Sequence, residues 1–391
     1  MNIYFDNNAT TKVDSEVLEE MLPYYSKFYG NPSSVHDFGR KARFAVNKAR
    51  SQVAKLLGIQ PEELIFTSGG TESNNLAIKG YLFANPKAGR HIITSEIEHH
   101  AVLNPCKELK KQGYDLTVVS INKEGVVNPE EIRKAIRGDT ALISIMYANN
   151  EVGSIQPISE IGNIAKEHNI CFHVDAVQAV GKISFKTKEI KADLLSLSGH
   201  KINGPKGTGV LYIRKGIKVK SLQQGGHHER NIRPGTENVP GIVGLGKACE
   251  IAKKTLNEEV IYVSNLRNKL YLGIRERISD IKLNGCLEGI LPNTLNISFA
   301  YIEGESLLLK LNKKGINCST GSACTSGSLK ASHVLRAMKV PSHMIQGSIR
   351  FSLGKYNKEE EIEYTLKILP GIVQQLREMS PLYEGIKEDG I

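Results

Sequence analysis

The stretch from Cys171 to Gly209 constrains the fold of this chain more than any other. It reads CFHVDAVQAVGK, a spacer, and then DLLSLSGHKINGPKGTG, running on into VLYI. Each half opens on an apolar run short enough for a buried strand and delivers polar residues at its carboxyl end, where open α/β sheets place their ligand sites. Asp175 and Gln178 follow the first run, and Ser198, His200 and Lys201 follow the second. Gly204, Pro205, Gly207 and Gly209 then suit a tight turn better than a helix.

One lysine, one acid and several phosphate-sized donors therefore converge. That inventory suits pyridoxal phosphate: a lysine for the Schiff base, an aspartate for the pyridine nitrogen, hydroxyl and imidazole groups for the phosphate. A lone lysine after a strand is most often a solvated surface cation. Such a lysine needs neither a glycine-rich tail that brings the backbone close to something nor a Ser-x-His before it.

At 391 residues the chain is long enough for two domains of unequal size. The expected division is a large cofactor-binding domain over 14–257 and a small domain built from 1–13 and 258–391. A hydrophobic content of 40% and a charged content of 24% are those of an ordinary globular protein. The opening MNIYFDNNATT lacks the basic and apolar regions of a signal peptide, and no run of eighteen apolar residues occurs, so a cytoplasmic location without membrane contact is expected. The six cysteines are spread thinly with no CxxC pair, which indicates neither a disulfide framework nor a zinc site. The net charge of +10 raises nucleic acid as a partner. The basic residues are nevertheless dispersed among acids and no recognition motif appears, so none is expected. Between Lys201 and Arg233 there are eight Lys/Arg against the single acid Glu229, a local excess that suits a phosphate, an anionic substrate or an acidic protein partner.

Along the chain, YFDNNATT reads as a strand end entering a loop whose Asn and Thr residues could line a site. Helical periodicity covers 15–28 and 40–57. LIFT at 64–67 is a strand feeding SGGTESNNLAI, a strand–turn–helix junction whose first N–H groups favour a phosphate, although Thr71 could equally be a plain N-cap. Strand-like runs follow at 91–94, 115–119, 141–145, 171–174, 193–197 and 210–214, alternating with helical patterns at 99–111, 129–137 and 157–168. That alternation predicts an α/β fold with a mostly parallel sheet covered by helices on both faces, plus a smaller α+β domain. The latter begins near a helix predicted at 258–278 and holds strands at 293–299 and in GSIRFSLG. Cys249 sits in a helical context as a small core residue. Cys324, among Gly, Ser, Ala and Thr, reads as an exposed thiol on a mobile arm.

Ten segments in order, DNNATT, GNPSS, SGGTESNNLAI, EHHAV, ANNEVG, HVDAVQAVGK, SGHKINGPKGTG, RPGTEN, GSACTSGS and SIRFSLGK, resemble the cysteine desulfurases of the NifS/IscS-like (group I) type. These belong to the class V aminotransferases, with the fold-type I pyridoxal phosphate architecture. The resemblance covers nearly the whole chain. It implies that Lys201 bonds to the cofactor, Asp175 pairs with the ring nitrogen, His99 stacks on the ring and moves protons, and Gln178 touches the ring hydroxyl. Gly70, Thr71, Ser198 and His200 would hold the phosphate, with Thr236 reaching it from the other subunit of a homodimer. Asn149 and Arg350 would hold the substrate carboxylate. Cys324 would accept the sulfur as a persulfide and be a candidate ligand for a transient iron–sulfur cluster, with no resident metal. The implied reaction converts L-cysteine to L-alanine and passes sulfur to an iron–sulfur scaffold or another acceptor protein. After GSACTSGS the family commonly has Leu-acid-Pro-Ser, whereas this chain has Leu329-Lys330-Ala331-Ser332, a charge reversal beside the arm that bears on which acceptor docks. A selenocysteine lyase or an aminotransferase on the same fold, and a non-catalytic basic binding module, remain as alternatives.

Overall fold

The computed structural model describes residues 1–320, 332–381 and 383. In chain order the strands among them are β1 (Ile3–Tyr4), β2 (Leu64–Thr67), β3 (His91–Ser95), β4 (Asp115–Val119), β5 (Thr140–Met146), β6 (Cys171–Asp175), β7 (Leu194–Ser198), β8 (Gly209–Ile213), β9 (Ile281–Leu283), β10 (Thr294–Phe299), β11 (Ile316–Asn317) and β12 (Ser348–Ser352). Seven of them form one sheet in the order β2-β8-β7-β6-β5-β3-β4. Every neighbouring pair is parallel except those made by β8. The sheet is buried on both faces because its strands are mainly apolar, and polar residues inside it such as Ser144, His173 and Ser196 bond to one another. Leu64, Phe66, Val210 and Tyr212 point into one cluster, and Ile65, Leu211 and Ile213 into the other. Only β4, at the edge, is largely uncovered.

The helices that cover the sheet follow from the apolar periodicity. Helix Asp37–Leu57 starts at His36, whose Nδ1 accepts from the Gly39 N–H, and ends at the left-handed Gly58. Its buried face is mostly small, Ala42, Ala45, Val46, Ala49 and Val53, so it lies tightly on helix Val239–Arg277. A Cβ on Gly246 would come within 2.6 Å of Ala49 Cα. The patterns at 99–111, 129–137 and 157–168 become helices His100–Lys111, Pro129–Ala135 and Ile158–Glu167.

Two helical expectations change. The stretch 15–28 is divided into Ser15–Met21 and Pro23–Ser26, since Pro23 has no N–H to continue the ladder. The helix expected at 258–278 begins at Val239 and runs 39 residues. Pro240 lies in its first turn, where a missing N–H costs nothing. Gly241, Gly244 and Gly246 sit where side chains of Asn238, Met21 and Ala49 leave no room for a Cβ.

This helix touches two cores. Val239, Ile242, Val243, Leu245 and Ala248 join the cluster on the large sheet, while Val263, Leu266, Leu270 and Ile274 join a separate cluster with Ile3, Phe5, β10 and β12. Between Ala252 and Val263 none of its residues is buried. The second cluster is built on the antiparallel sheet β12-β10-β9 and on the parallel pair β1-β11. The amino-terminal segment therefore starts in one core and ends at the other, where the Thr11 N–H donates to the His200 carbonyl at 2.9 Å.

Candidate active site

The order of the large sheet reverses between β3 and β5, since β4 lies outside β3 while β5, β6 and β7 step the other way. Loops leaving the carboxyl ends of β3, β5, β6 and β7 diverge there and leave a crevice. Register puts Met146 opposite Asp175, and Asp175 opposite Ser196. A cavity of about 320 Å³ opens at this level. Its lining brings together Gly70, Thr71, His99, Asp175, Gln178, Ser198, His200, Lys201 and Arg350 from the residues singled out in the sequence, and adds Asn8, Ala9, Asn74 and Asn150.

Lys201 ends a single turn of 3-10 helix after β7. Its Nζ donates to the carbonyl oxygens of Asn8 and, at 2.8 Å, Ala9. Asp175 closes β6 and is 5% exposed. Its Oδ1 accepts from the Val177 N–H at 3.0 Å and its Oδ2 from Asn74 Nδ2 at 2.7 Å. Burial raises its pKa, against the pull of His99, these two donors and Lys201. His99 caps helix His100–Lys111, its Nδ1 accepting from the Ala101 N–H at 3.1 Å. Burial lowers its pKa, so the ring is neutral near pH 7 and carries its proton on Nε2.

His200 Nδ1 meets Thr10 Oγ1 at 3.1 Å. Burial, with Lys201, Lys206 and Lys182 nearby, pushes its pKa down to about 4. Ser198 is buried at the end of β7. Gly70 and Thr71 open the helical stretch after β2, capped by Gly69 with no side-chain bond, so Thr71 is a first-turn residue and not the N-cap. Arg350, 3% exposed, sends Nη1 to the Asn150 carbonyl at 2.9 Å and Nη2 to Asp6 Oδ1 at 2.7 Å, and its buried Nε has no partner among the described residues.

Asn149 is a correction. Its amide is committed to the backbone: Nδ2 donates to Ile97 O at 3.0 Å, and Oδ1 accepts from the N–H groups of Glu151 and Val152 at 2.8 and 3.0 Å. The cavity is lined instead by the next residue, Asn150. Thr236 is exposed and stands apart from the cavity lining of its own chain. Cys324 lies outside the described residues. The chain approaches that segment at Ser319, which exchanges backbone hydrogen bonds of 3.2 and 2.6 Å with Arg350, and returns at Ser332, whose Oγ donates to Glu151 Oε2 at 2.5 Å.

Asn74 and Asp6 escaped the sequence reading, because a residue that holds Asp175 or Arg350 carries no chemistry of its own to flag it. Of the Asn and Thr residues of DNNATT expected to line a site, Asn8 lines this cavity. The donor set fits pyridoxal phosphate. A buried carboxylate held by two neutral donors suits a protonated ring nitrogen, a lysine amine stands in the same cavity, and first-turn N–H groups, Ser198 and His200 suit a phosphate. Among the described residues no cluster of His, Cys, Asp and Glu is placed to hold a metal.

Residues 3–365 match the family model described as aminotransferase class-V. The chain is 55% identical over 380 residues to the cysteine desulfurase IscS of Methanosarcina thermophila, covering 97% of this chain and 94% of that one. It is 54% identical over 379 residues to cysteine desulfurase 2 of Trichormus variabilis, with 97% and 95% covered. Among solved structures, a NifS-like protein superposes with a TM-score of 0.91 at 46% identity, over 96% of this chain and all of that one. A structure described as SspA in complex with cysteine superposes with a TM-score of 0.81 at 38% identity, over 91% of this chain and all of that one. The chain belongs to the class-V aminotransferase family of pyridoxal phosphate enzymes and, within it, to the cysteine desulfurases.

Proposed function

We propose that the chain acts as a homodimer that takes sulfur from L-cysteine, releases L-alanine and holds the sulfur on Cys324 as a persulfide for an iron–sulfur scaffold or another acceptor protein. The observation that carries this reading is the convergence of Lys201, Asp175, His99 and Arg350 on one cavity.

Pyridoxal phosphate, when bound, supplies an electron-withdrawing ring that makes the α-proton of an amino acid labile. In this assignment Asp175 stays ionised against the ring nitrogen, Gln178 donates to the ring oxygen, and His99 stacks over the ring and moves a proton at Nε2. Gly70, Thr71, Ser198 and His200 take the phosphate, and Thr236 of a second copy completes it. Arg350 binds the substrate carboxylate with its guanidinium fork, and Asn150 takes the place expected of Asn149 beside it. That contact fixes the α-carbon, and Lys201 Nζ carries its proton. The thiolate of Cys324 attacks the substrate sulfur. An S–S bond forms, the C–S bond breaks with its electron pair going to carbon, and that carbon takes a proton to give the methyl group of alanine.

Exposed Leu22, Tyr25, Tyr29, Val35, Phe38 and Phe44, concentrated within 22–44, support a dimer, since large apolar side chains gathered at the surface mark contact sites. The cysteines among the described residues are free, in keeping with a reducing cytoplasm. The separate clusters support the division of the chain into 14–257 and 1–13 with 258–391.

The test supplies L-cysteine and measures alanine, with the mass of the peptide containing Cys324 recorded without reductant. One added sulfur there, removed by dithiothreitol, is expected. In Cys324→Ser, alanine formation is expected to fall by orders of magnitude while the visible band still responds to cysteine, because a serine hydroxyl is barely ionised where a thiol of pKa about 8.5 is partly thiolate. Added mass on Cys318 or Cys106 would overturn the choice of nucleophile.

A further inference from the structure

Four residues after Gln178, the chain places a second lysine behind the cavity wall. Lys182 is 9% exposed, and Gly181 before it holds φ +74, turning the chain where a Cβ would sit 2.7 Å from Ile202 Cγ2. The ammonium is thus directed inward by the backbone, and its stem is not free to reach solvent. It donates to two side-chain carbonyl oxygens, Gln178 Oε1 at 2.5 Å and Asn8 Oδ1 at 3.3 Å.

These bonds decide how the Gln178 amide points. An amide has one oxygen, which accepts, and one nitrogen, which donates twice. As an ammonium, Lys182 can only donate to it, and so holds the oxygen away from the cavity and turns Nε2 toward it. Asn8 O takes one Nε2 hydrogen at 3.0 Å, and the other is left for the cavity that Gln178 lines. Asn8 cannot yield to a flipped amide, because its own groups are engaged. Its Oδ1 also accepts from Asn293 at 2.9 Å, and its Nδ2 donates to Thr294 Oγ1 at 2.8 Å and Asn150 O at 3.1 Å. The same Asn8 carbonyl that fixes Gln178 accepts from Lys201 Nζ.

The geometry points to Lys182 as a positioning residue of the reaction, one that locks the Gln178 amide with its N–H toward the ring oxygen of the cofactor. The assignment rests on the reading of Gln178 given above. Without Lys182 the Asn8 carbonyl alone opposes a flip of the Gln178 amide, and a flipped Gln178 would present oxygen to an oxygen. A buried lysine costs desolvation, and its pKa is accordingly driven well down by burial first and then by Lys201 and Arg350, with Glu259 opposing. Glu259, Asp14 and Lys355 face it across a smaller cavity of about 40 Å³ that Lys201 also lines.

The test uses the cofactor-loaded protein without substrate and reads the pH midpoint at which its visible absorbance changes. An N–H donated to the ring oxygen favours the deprotonated form, so its loss raises the midpoint. Gln178→Ala and Lys182→Met are each expected to raise it by about one pH unit, the scale of one hydrogen bond to a charged group. The double variant is expected to move no further than Gln178→Ala alone. Lys182→Gln, which keeps an N–H donor without the charge, is expected to stay within a few tenths of a unit of the unsubstituted protein, and it also serves if Lys182→Met folds poorly. A midpoint unmoved in Lys182→Met while Gln178→Ala shifts it overturns the role of Lys182. Additive shifts in the double variant, or a full shift in Lys182→Gln, show that Lys182 acts by charge and overturn positioning. No shift in Gln178→Ala removes the reading of Gln178 itself, and this inference with it.

Discussion

His173 stands in the middle of β6, fully buried, with Nδ1 at 2.8 Å from Ser144 Oγ of β5 and Nε2 at 3.1 Å from Ser196 Oγ of β7. Burial pushes its pKa down to about 3. An unfolded histidine takes a proton near pH 6.5, so the stability that the neutral ring contributes is whole above that pH and is lost as pH falls toward 3. By pH 5 the loss amounts to about 2 kcal/mol. His173→Gln is expected to be less stable than the unsubstituted protein at pH 7.5, with the gap narrowing by that amount at pH 5 in denaturant unfolding. A gap independent of pH would mean that the ring protonates in the folded state. Lys201→Ala is expected to abolish alanine formation and the visible band of bound cofactor while leaving the folded protein intact. Normal turnover in that variant would remove Lys201 from its assigned role. Asp175 and Lys201 were legible in the sequence because each follows an apolar run whose carboxyl end must meet the crevice. Asn149 and Asn150 were not separable there. Two adjacent asparagines differ only in which one turns its amide back on the loop, and that depends on the carbonyl of Ile97 from another strand connection.

Among the elements, the turn from Lys201 to β8 shows how closely backbone approaches backbone beside the residues proposed to hold the phosphate. A Cβ on Gly209 would lie 2.6 Å from Gly69 Cα and 2.8 Å from the Leu197 carbonyl oxygen. Neither contact is the end of a flexible side chain, so the strand pair must shift. Gly209→Ala is expected to cost about 1–3 kcal/mol and to weaken cofactor retention by moving Gly69 and Gly70, measured by dialysis and absorbance. Full retention at unchanged stability would show that the β2–β8 junction yields without cost. The large sheet was legible because its strands are short, mainly apolar and bounded by turn residues. Helix Val239–Arg277 was only half legible, since a proline and three glycines in its first turns read as breakers until the neighbours that demand them are seen.

For the whole molecule, dilution is the direct measurement of the proposed dimer. Loss of cofactor and of activity is expected to track dissociation in sedimentation or light scattering, whereas a monomer that keeps both would place the phosphate site within one chain. The helix joining the two hydrophobic clusters bears on how the chain melts. It is 39 residues long, about 58 Å at 1.5 Å per residue, and its exposed middle is held at each end by a different core. Neither core can lose its end without fraying the rod that the other is packed on, so calorimetry is expected to record one endotherm. Asn257 lies in the exposed middle. Asn257→Pro, at a cost of about 3 kcal/mol in a helix interior, is expected to split that endotherm in two, the two lobes then melting as separate bodies. A single unsplit transition in the variant would mean that contacts between the lobes, and not the rod, make their melting one event.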